Sequence, residues 1–270
     1  LRRQRQMCIR DRYYDDRYRV IQRKGNNSLN GMEAVYTSYN FEGSPVKEKR
    51  IHSVPGQDII TEVRNYTYDL ANRLLQTTYQ LNDDAPVILV DNVYDEIGRL
   101  KTEKRTGHSK LRTDYTYNLR SWTKGINGPL FHQTLTYQES IDGTTPCYNG
   151  NISSMIWHSG SEAGLRGYKF TYDGFSRLKD AVYGEGELLS NNTNHFTEQV
   201  TGYDKNGNIL GLLRYGQTNT MSYGLIDNLN LVYNGNQLES VNDNATGHVF
   251  GNGMEFKDGA SKEIEYEYDA

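Results

Sequence analysis

The segment best suited to chemistry is Asp204-Lys205-Asn206-Gly207-Asn208, which copies the first three side-chain ligands of a calcium loop. The copy fails at Ile209, where such a loop needs glycine, and at Tyr215, where it needs a bidentate glutamate, so the segment reads as a turn. Paired acids, Asp83 with Asp84 and Glu185 with Glu187, are the residue type that glycoside hydrolysis uses, but both pairs sit in polar, turn-like stretches with nothing to make them converge. The six histidines, at 52, 108, 132, 158, 195 and 248, are scattered, and none has the close spacing of paired metal ligands. Cys147, between Pro146 and Tyr148-Asn149, lies on a hairpin shoulder, and Cys8 is too far away to make a framework with it. The G-x-S-x-G, H-E-x-x-H, G-x-x-x-x-G-K-[ST] and G-x-G-x-x-G patterns are missing. The reading is a non-enzymatic chain with no cofactor and no metal site.

What positions these residues is a repeat. Tyr68-Asp69, Tyr94-Asp95, Tyr172-Asp173 and Tyr203-Asp204 each open the same downstream pattern. At +4 from the tyrosine stand Asn72, Gly98, Ser176 and Gly207; at +5 stand Arg73, Arg99, Arg177 and Asn208; at +6 stand Leu74, Leu100, Leu178 and Ile209. Asn replaces Asp in Tyr39-Asn40, with Gly43 at +4, and in Tyr117-Asn118, with Ser121. Shortened copies are Tyr148-Asn149-Gly150-Asn151-Ile152 and Tyr233-Asn234-Gly235-Asn236-Gln237-Leu238. Tyr14-Asp15 reads as a degraded copy and Tyr268-Asp269 as the last, so ten anchors spaced 23 to 35 residues apart fill the chain.

Each unit predicts a β-hairpin. Tyr66-Thr67-Tyr68, Tyr115-Thr116-Tyr117 and Phe170-Thr171-Tyr172 alternate with the period of a strand. The Asp or Asn next to the anchor accepts hydrogen bonds from amides further round a turn, and the residue at +4 takes the left-handed conformation that closes it. Asn149-Gly150 and Asn234-Gly235 predict two-residue hairpins. Anchor tyrosines of successive units are expected to pack cross-strand, which makes the excess of tyrosine (22, with 26 Gly and 25 Asn) structural. The period is too short and variable for a propeller blade, and a sandwich would not repeat its turn chemistry, which leaves one long antiparallel sheet that twists and coils.

Composition excludes other classes. The longest aliphatic run, Val87-Ile88-Leu89-Val90, is far short of a membrane-spanning helix. A net charge of −4 with interspersed signs lacks the footprint of nucleic-acid binding.

The blocks YTYDLANRLLQTTY, VYDEIGRLKTE, YTYNLRSWTKGINGPLF, YNGNISSMIW, FTYDGFSRLKDAVY, GYDKNGNILGLLRYG and VYNGNQLESVND resemble the YD repeats of the bacterial RHS family, shared with shell-forming components of insecticidal toxin complexes and with teneurins. The resemblance implies a spiralling sheet, here a partial β-cocoon shell, that encloses a variable, toxic C-terminal effector. It also implies export or delivery to other cells in bacterial competition, with an immunity protein and secretion machinery as further partners and a secreted or cell-surface location. The family's C-terminal core, with its Asp-Pro-x-Gly type signature, has no counterpart up to Ala270, so the chain is expected to be a wall segment truncated at both ends. Residues 1–12, LRRQRQMCIRDR, carry five arginines without alternation and read as non-native or disordered, leaving 13–270 as the array. The alternative is a surface adhesin or carbohydrate-binding protein, in which exposed Tyr and Asn would meet sugars.

Overall fold

The computed structural model describes residues 10–106, 108–139, 143–162, 164–246, 250–251, 255–257, 259 and 262–268. Cys8, His248 and Asp269 lie outside them. The chain divides into two compact units, Leu1–Tyr115 and Thr116–Ala270. The first holds β1 (Arg10–Tyr14), β2 (Val20–Asn26), β3 (Met32–Tyr39), β4 (Pro45–Ser53), β5 (Ile60–Tyr68), β6 (Leu74–Leu81), β7 (Val87–Tyr94), β8 (Leu100–Arg105), a 3-10 turn (Ser109–Leu111) and most of β9 (Arg112–Tyr117). The second holds β10 (Thr123–Asn127), β11 (Phe131–Thr136), β12 (Ser154–Ser159), β13 (Arg166–Tyr172), β14 (Leu178–Glu185), β15 (Glu198–Tyr203), β16 (Ile209–Asn219), β17 (Ser222–Asn234) and β18 (Gln237–Asp243). Within each unit every strand pairs antiparallel with the next in sequence. The protein is all-β, built of consecutive hairpins.

Arg10, Asp11 and Arg12, set aside with the basic N-terminal stretch, stand in β1 opposite Gly25, Lys24 and Arg23. Two hairpin expectations are corrected. Asn149-Gly150 is not a two-residue hairpin, because β11 ends at Thr136 and its partner β12 begins only at Ser154. In the last hairpin Asn234 pairs with Gln237, so Gly235-Asn236 make the turn, one residue later than the Asn-Gly signal placed it.

Neither face of the first unit is a continuous apolar surface. Register puts Glu33, Glu48, Arg50, His52, Glu62 and Arg64 on one face, where Arg50 bridges Glu33 (2.9 Å) and Glu62 (3.6 Å), Arg64 meets Glu48 (3.5 Å), and His52 bonds Glu33. Ala34, Tyr36, Ile51 and Val63 share the other face with Lys24 and Lys49. The second unit has a small core. Trp157, Tyr168, Phe170, Tyr183, Phe196 and Tyr223 form a chain of ring contacts. On β13 and β14, Gly167 stands opposite Gly184, and a Cβ on Gly167 would meet the Leu189 side chain at 2.9 Å. The two glycines therefore make the space that Leu189, 1% exposed, fills. Asp227, fully buried, is satisfied by the Arg214 guanidinium (2.6 Å) and the Phe256 amide (2.9 Å).

Candidate functional site

The residues singled out by the repeat assemble at the turns. In each full unit the anchor tyrosine stands opposite the residue at +6, after a register shift that marks a bulge: Tyr68 opposite Leu74, Tyr94 opposite Leu100, Tyr172 opposite Leu178 and Tyr203 opposite Ile209. The amide at +1 donates to the carbonyl at +5, and the amide at +4 donates back to the carbonyl at +1, as for Asp69 with Arg73 and Asn72. The residue at +4 has positive φ whether or not it is glycine: Asn72 (59°), Gly98 (91°), Ser121 (62°), Ser176 (64°) and Gly207 (93°). This is a tight turn closed by a left-handed residue.

The carboxylate at +1 holds the turn from inside. Asp69 Oδ1 accepts the amides of Ala71 and Arg73 at 2.9 Å each, Asp95 those of Ile97 (3.1 Å) and Arg99 (2.8 Å), and Asp173 those of Phe175 and Arg177 at 2.9 Å each. The arginine at +5 closes the other oxygen, with Nε of Arg73 and Arg99 at 2.6 Å and of Arg177 at 2.7 Å from Oδ2. Asn118 reproduces the backbone part, accepting from Arg120 (2.9 Å) and Trp122 (3.0 Å). Tyr14-Asp15, which the sequence suggested to be degraded, is complete: Asp15 accepts from the Arg17 and Arg19 amides and pairs with the Arg19 guanidinium at 2.7 Å, and Tyr18 at +4 has φ 59°.

These contacts hold the carboxyls below their usual range. For Asp69 the Arg73 amide and then its guanidinium are responsible, and for Asp173 the Arg177 guanidinium leads. In Asp15, Asp95 and Asp204, desolvation pulls upward and the hydrogen bonds from +5 outweigh it.

The turns also grip one another. The anchor hydroxyl donates to a backbone carbonyl of the preceding unit, at the residue that opens its second strand in Tyr39 to Val20 (2.9 Å), Tyr68 to Pro45 (2.8 Å), Tyr94 to Leu74 (2.9 Å) and Tyr203 to Leu178 (2.6 Å), and two residues before β12 in Tyr172 to Ile152 (2.8 Å). Burial pushes the phenols of Tyr68, Tyr172 and Tyr203 up, which keeps them protonated donors. The arginine at +5 covers the next anchor ring, with Arg19 Cζ 4.9 Å from the Tyr39 centroid, Arg73 4.8 Å from Tyr94 and Arg177 4.3 Å from Tyr203. The same guanidiniums reach the next turn's backbone, Arg19 donating to Asn40 O (3.0 Å) and Arg177 to Asp204 O (3.2 Å), and Asn208 does likewise to Gly235 O (3.1 Å). The tyrosines thus meet carbonyls and guanidiniums of the neighbouring unit rather than each other.

The sequence pattern missed one member of this row. Tyr137, 5% exposed, donates to Thr123 O at 2.8 Å, the contact an anchor makes, while Tyr148 is 64% exposed. Asn149 keeps the turn chemistry, accepting from the Asn151 amide (3.1 Å) and donating to Ser176 Oγ (2.8 Å), with Gly150 at φ 103°. Leu135-Thr136-Tyr137 repeats the alternation of Tyr66-Thr67-Tyr68, so the signal was present without an Asp or Asn after it.

Of the other candidates, His132 stacks on His158 and His195 lies 3.7 Å from Glu185. Asp204 spends its carboxylate on the amides of Asn206 and Asn208 and on the Asn208 side chain. Glu185 accepts from Tyr183 Oη (2.9 Å) and Asn192 Nδ2 (2.8 Å). Burial raises the Cys147 thiol. Among the described residues no group of three or more His, Cys, Asp or Glu is placed to hold a metal ion, and no helix is long and apolar enough to cross a membrane.

No family model and no curated protein matches the sequence. Solved structures do match in fold. The crystal structure of TcdB2-TccC3-Cdc42 superposes with a TM-score of 0.53 at 10% identity, over 90% of this chain and 15% of that one. That of TcdB2-TccC3 without the hypervariable C-terminal region gives 0.48 at 14% identity, over 87% and 15%. The chain therefore spans about 15% of the length of the proteins it matches. The first of these superpositions shows the fold alone: the chain shares with that structure an all-β array of consecutive antiparallel hairpins.

Proposed function

We propose that the chain is a structural wall segment of a shell that encloses a toxic effector polypeptide, in a protein exported or delivered between bacteria, and that it acts by containment rather than catalysis. The observation that carries this reading is the interlocking of consecutive turns, in which each unit's tyrosine and arginine are spent on its neighbour. Such a sheet gains its strength in its own plane, as a wall does, and the likeness in fold is to toxin-complex structures. The adhesin reading has less support, because the rings of Tyr39, Tyr94 and Tyr203 are covered by guanidiniums and are not free platforms for sugars.

Limited proteolysis of the gene's whole product tests the proposal. The expected result is a C-terminal polypeptide that resists protease until denaturant opens the sheet. A C-terminal region cut as fast as the same polypeptide expressed alone would overturn it.

A further inference from the structure

His132 and His158 are 26 positions apart, and the register of β11 with β12 sets them directly opposite each other. Directly opposed residues share one face of the sheet, with Cβ atoms about 4.5–5.5 Å apart. Their rings are stacked, with centroids at 4.5 Å and planes inclined by 14°, and both residues are half-buried. His158 Nδ1 lies 3.2 Å from its neighbour's carbonyl, Ser159 O. A carbonyl only accepts, so that contact puts the proton on Nδ1 and leaves the Nε2 lone pair free, the arrangement that orients a metal-ligating imidazole. Asn127 stands opposite His132 on its other side, in β10, and carries an amide oxygen.

We propose that His132 and His158 form a two-imidazole site for a borderline divalent cation of the Cu2+ or Zn2+ class, the ions that imidazole ligands favour. Metal–nitrogen bonds of about 2.0–2.1 Å place two ligand nitrogens closer together than the stacked ring centroids, so binding turns the His132 ring about χ2 until its lone pair converges with that of His158, whose ring the Ser159 carbonyl holds. The backbone need not move, since the strand register already holds the two Cβ atoms in reach. Water and the Asn127 oxygen complete the coordination. The other described histidines are differently engaged: His52 with Glu33, His108 with the Lys110 amide, and His195 with Tyr223 and Glu185.

The test is titration of the full chain with Cu2+ slightly above neutral pH, followed by electron paramagnetic resonance. The expected spectrum at stoichiometric metal shows two imidazole nitrogens. Loss of an outer-shell partner alone weakens metal affinity on the order of 10- to 100-fold, so His132→Gln or His158→Gln is expected to weaken binding at least about tenfold, while His108→Gln leaves it unchanged. A readout on the unaltered protein guards against variants that fail to fold: bound Zn2+ should protect His132 and His158, but not His108, from carbethoxylation mapped by mass spectrometry. Equal affinity in the double variant, or equal modification with and without Zn2+, would overturn the proposal.

Discussion

At the scale of the residue, the acid at +1 does three things with one carboxylate: it accepts two amides of its own turn and fixes the arginine that reaches the next. Asp173 shows the set most completely, since Arg177 also covers Tyr203 and bonds Asp204 O. The linkage has a definite sign. The folded-state pKa of Asp15, Asp69, Asp95, Asp173 and Asp204 is depressed, so their contribution is fully present above the unfolded-state value of about 3.9 and is lost as pH falls from there through the folded-state values. Urea midpoints measured across that acid range should fall for the unaltered chain. Asp173→Asn keeps an acceptor for the two amides, as Asn118 does naturally, and loses only the ion pair, whereas Asp173→Ala loses both. The expected order of stability at neutral pH is Asp, Asn, Ala, with a shallower acid dependence in both variants, and an Ala variant as stable as the original would contradict the assignment.

At the scale of the element, the sequence shows what is local and hides what depends on register. The turn was legible because Asp69 acts on Ala71 and Arg73, a few positions away, and because Gly98 and Gly207 sit where φ must be positive. Asn72, Ser121, Ser176 and Tyr18 share that conformation without being glycine, and only the repeat revealed the first three. The grip between units was not legible, since a hydroxyl that bonds a carbonyl 19 to 25 positions earlier leaves no local mark. Tyr137 and the His132–His158 pair escaped for the same reason: their partners are fixed by the pairing of β10, β11 and β12. Removing one grip should show as a single hydrogen bond. Tyr172→Phe keeps the ring and deletes the donor to Ile152 O, which is expected to cost about 0.5–1.5 kcal/mol in urea unfolding. Tyr148→Phe, at an exposed ring, is expected to stay within about 0.5 kcal/mol. If the two substitutions cost the same, the hydroxyl bond is not what joins the units.

At the scale of the whole molecule, the described residues bury little apolar side chain. Ala34, Tyr137, Ala181, Tyr183, Leu189, Ile226 and Val241 are the buried hydrophobic residues among them, matched in number by buried polar ones that include Ser153, Ser154 and Asp227. Large apolar side chains stand out at the turn tips instead, with Phe41 82%, Leu70 105%, Leu119 104% and Phe175 83% exposed. A sheet held mainly by ladder hydrogen bonds, ion pairs and guanidinium–ring contacts exposes little new apolar surface when it unfolds, and apolar exposure is what raises heat capacity. An ordinary globular chain of 270 residues would unfold with a heat-capacity increment of about 3 to 4 kcal/mol/K. Differential scanning calorimetry of this chain should give a clearly smaller value, together with a urea m-value low for its length. The mixed polar faces of the first unit, which lower both quantities, also let that part of the proposed wall be wetted on its two sides. A heat-capacity increment in the ordinary globular range would mean that the sheet buries an apolar face against something, and the wall reading would then have to yield to a packed domain.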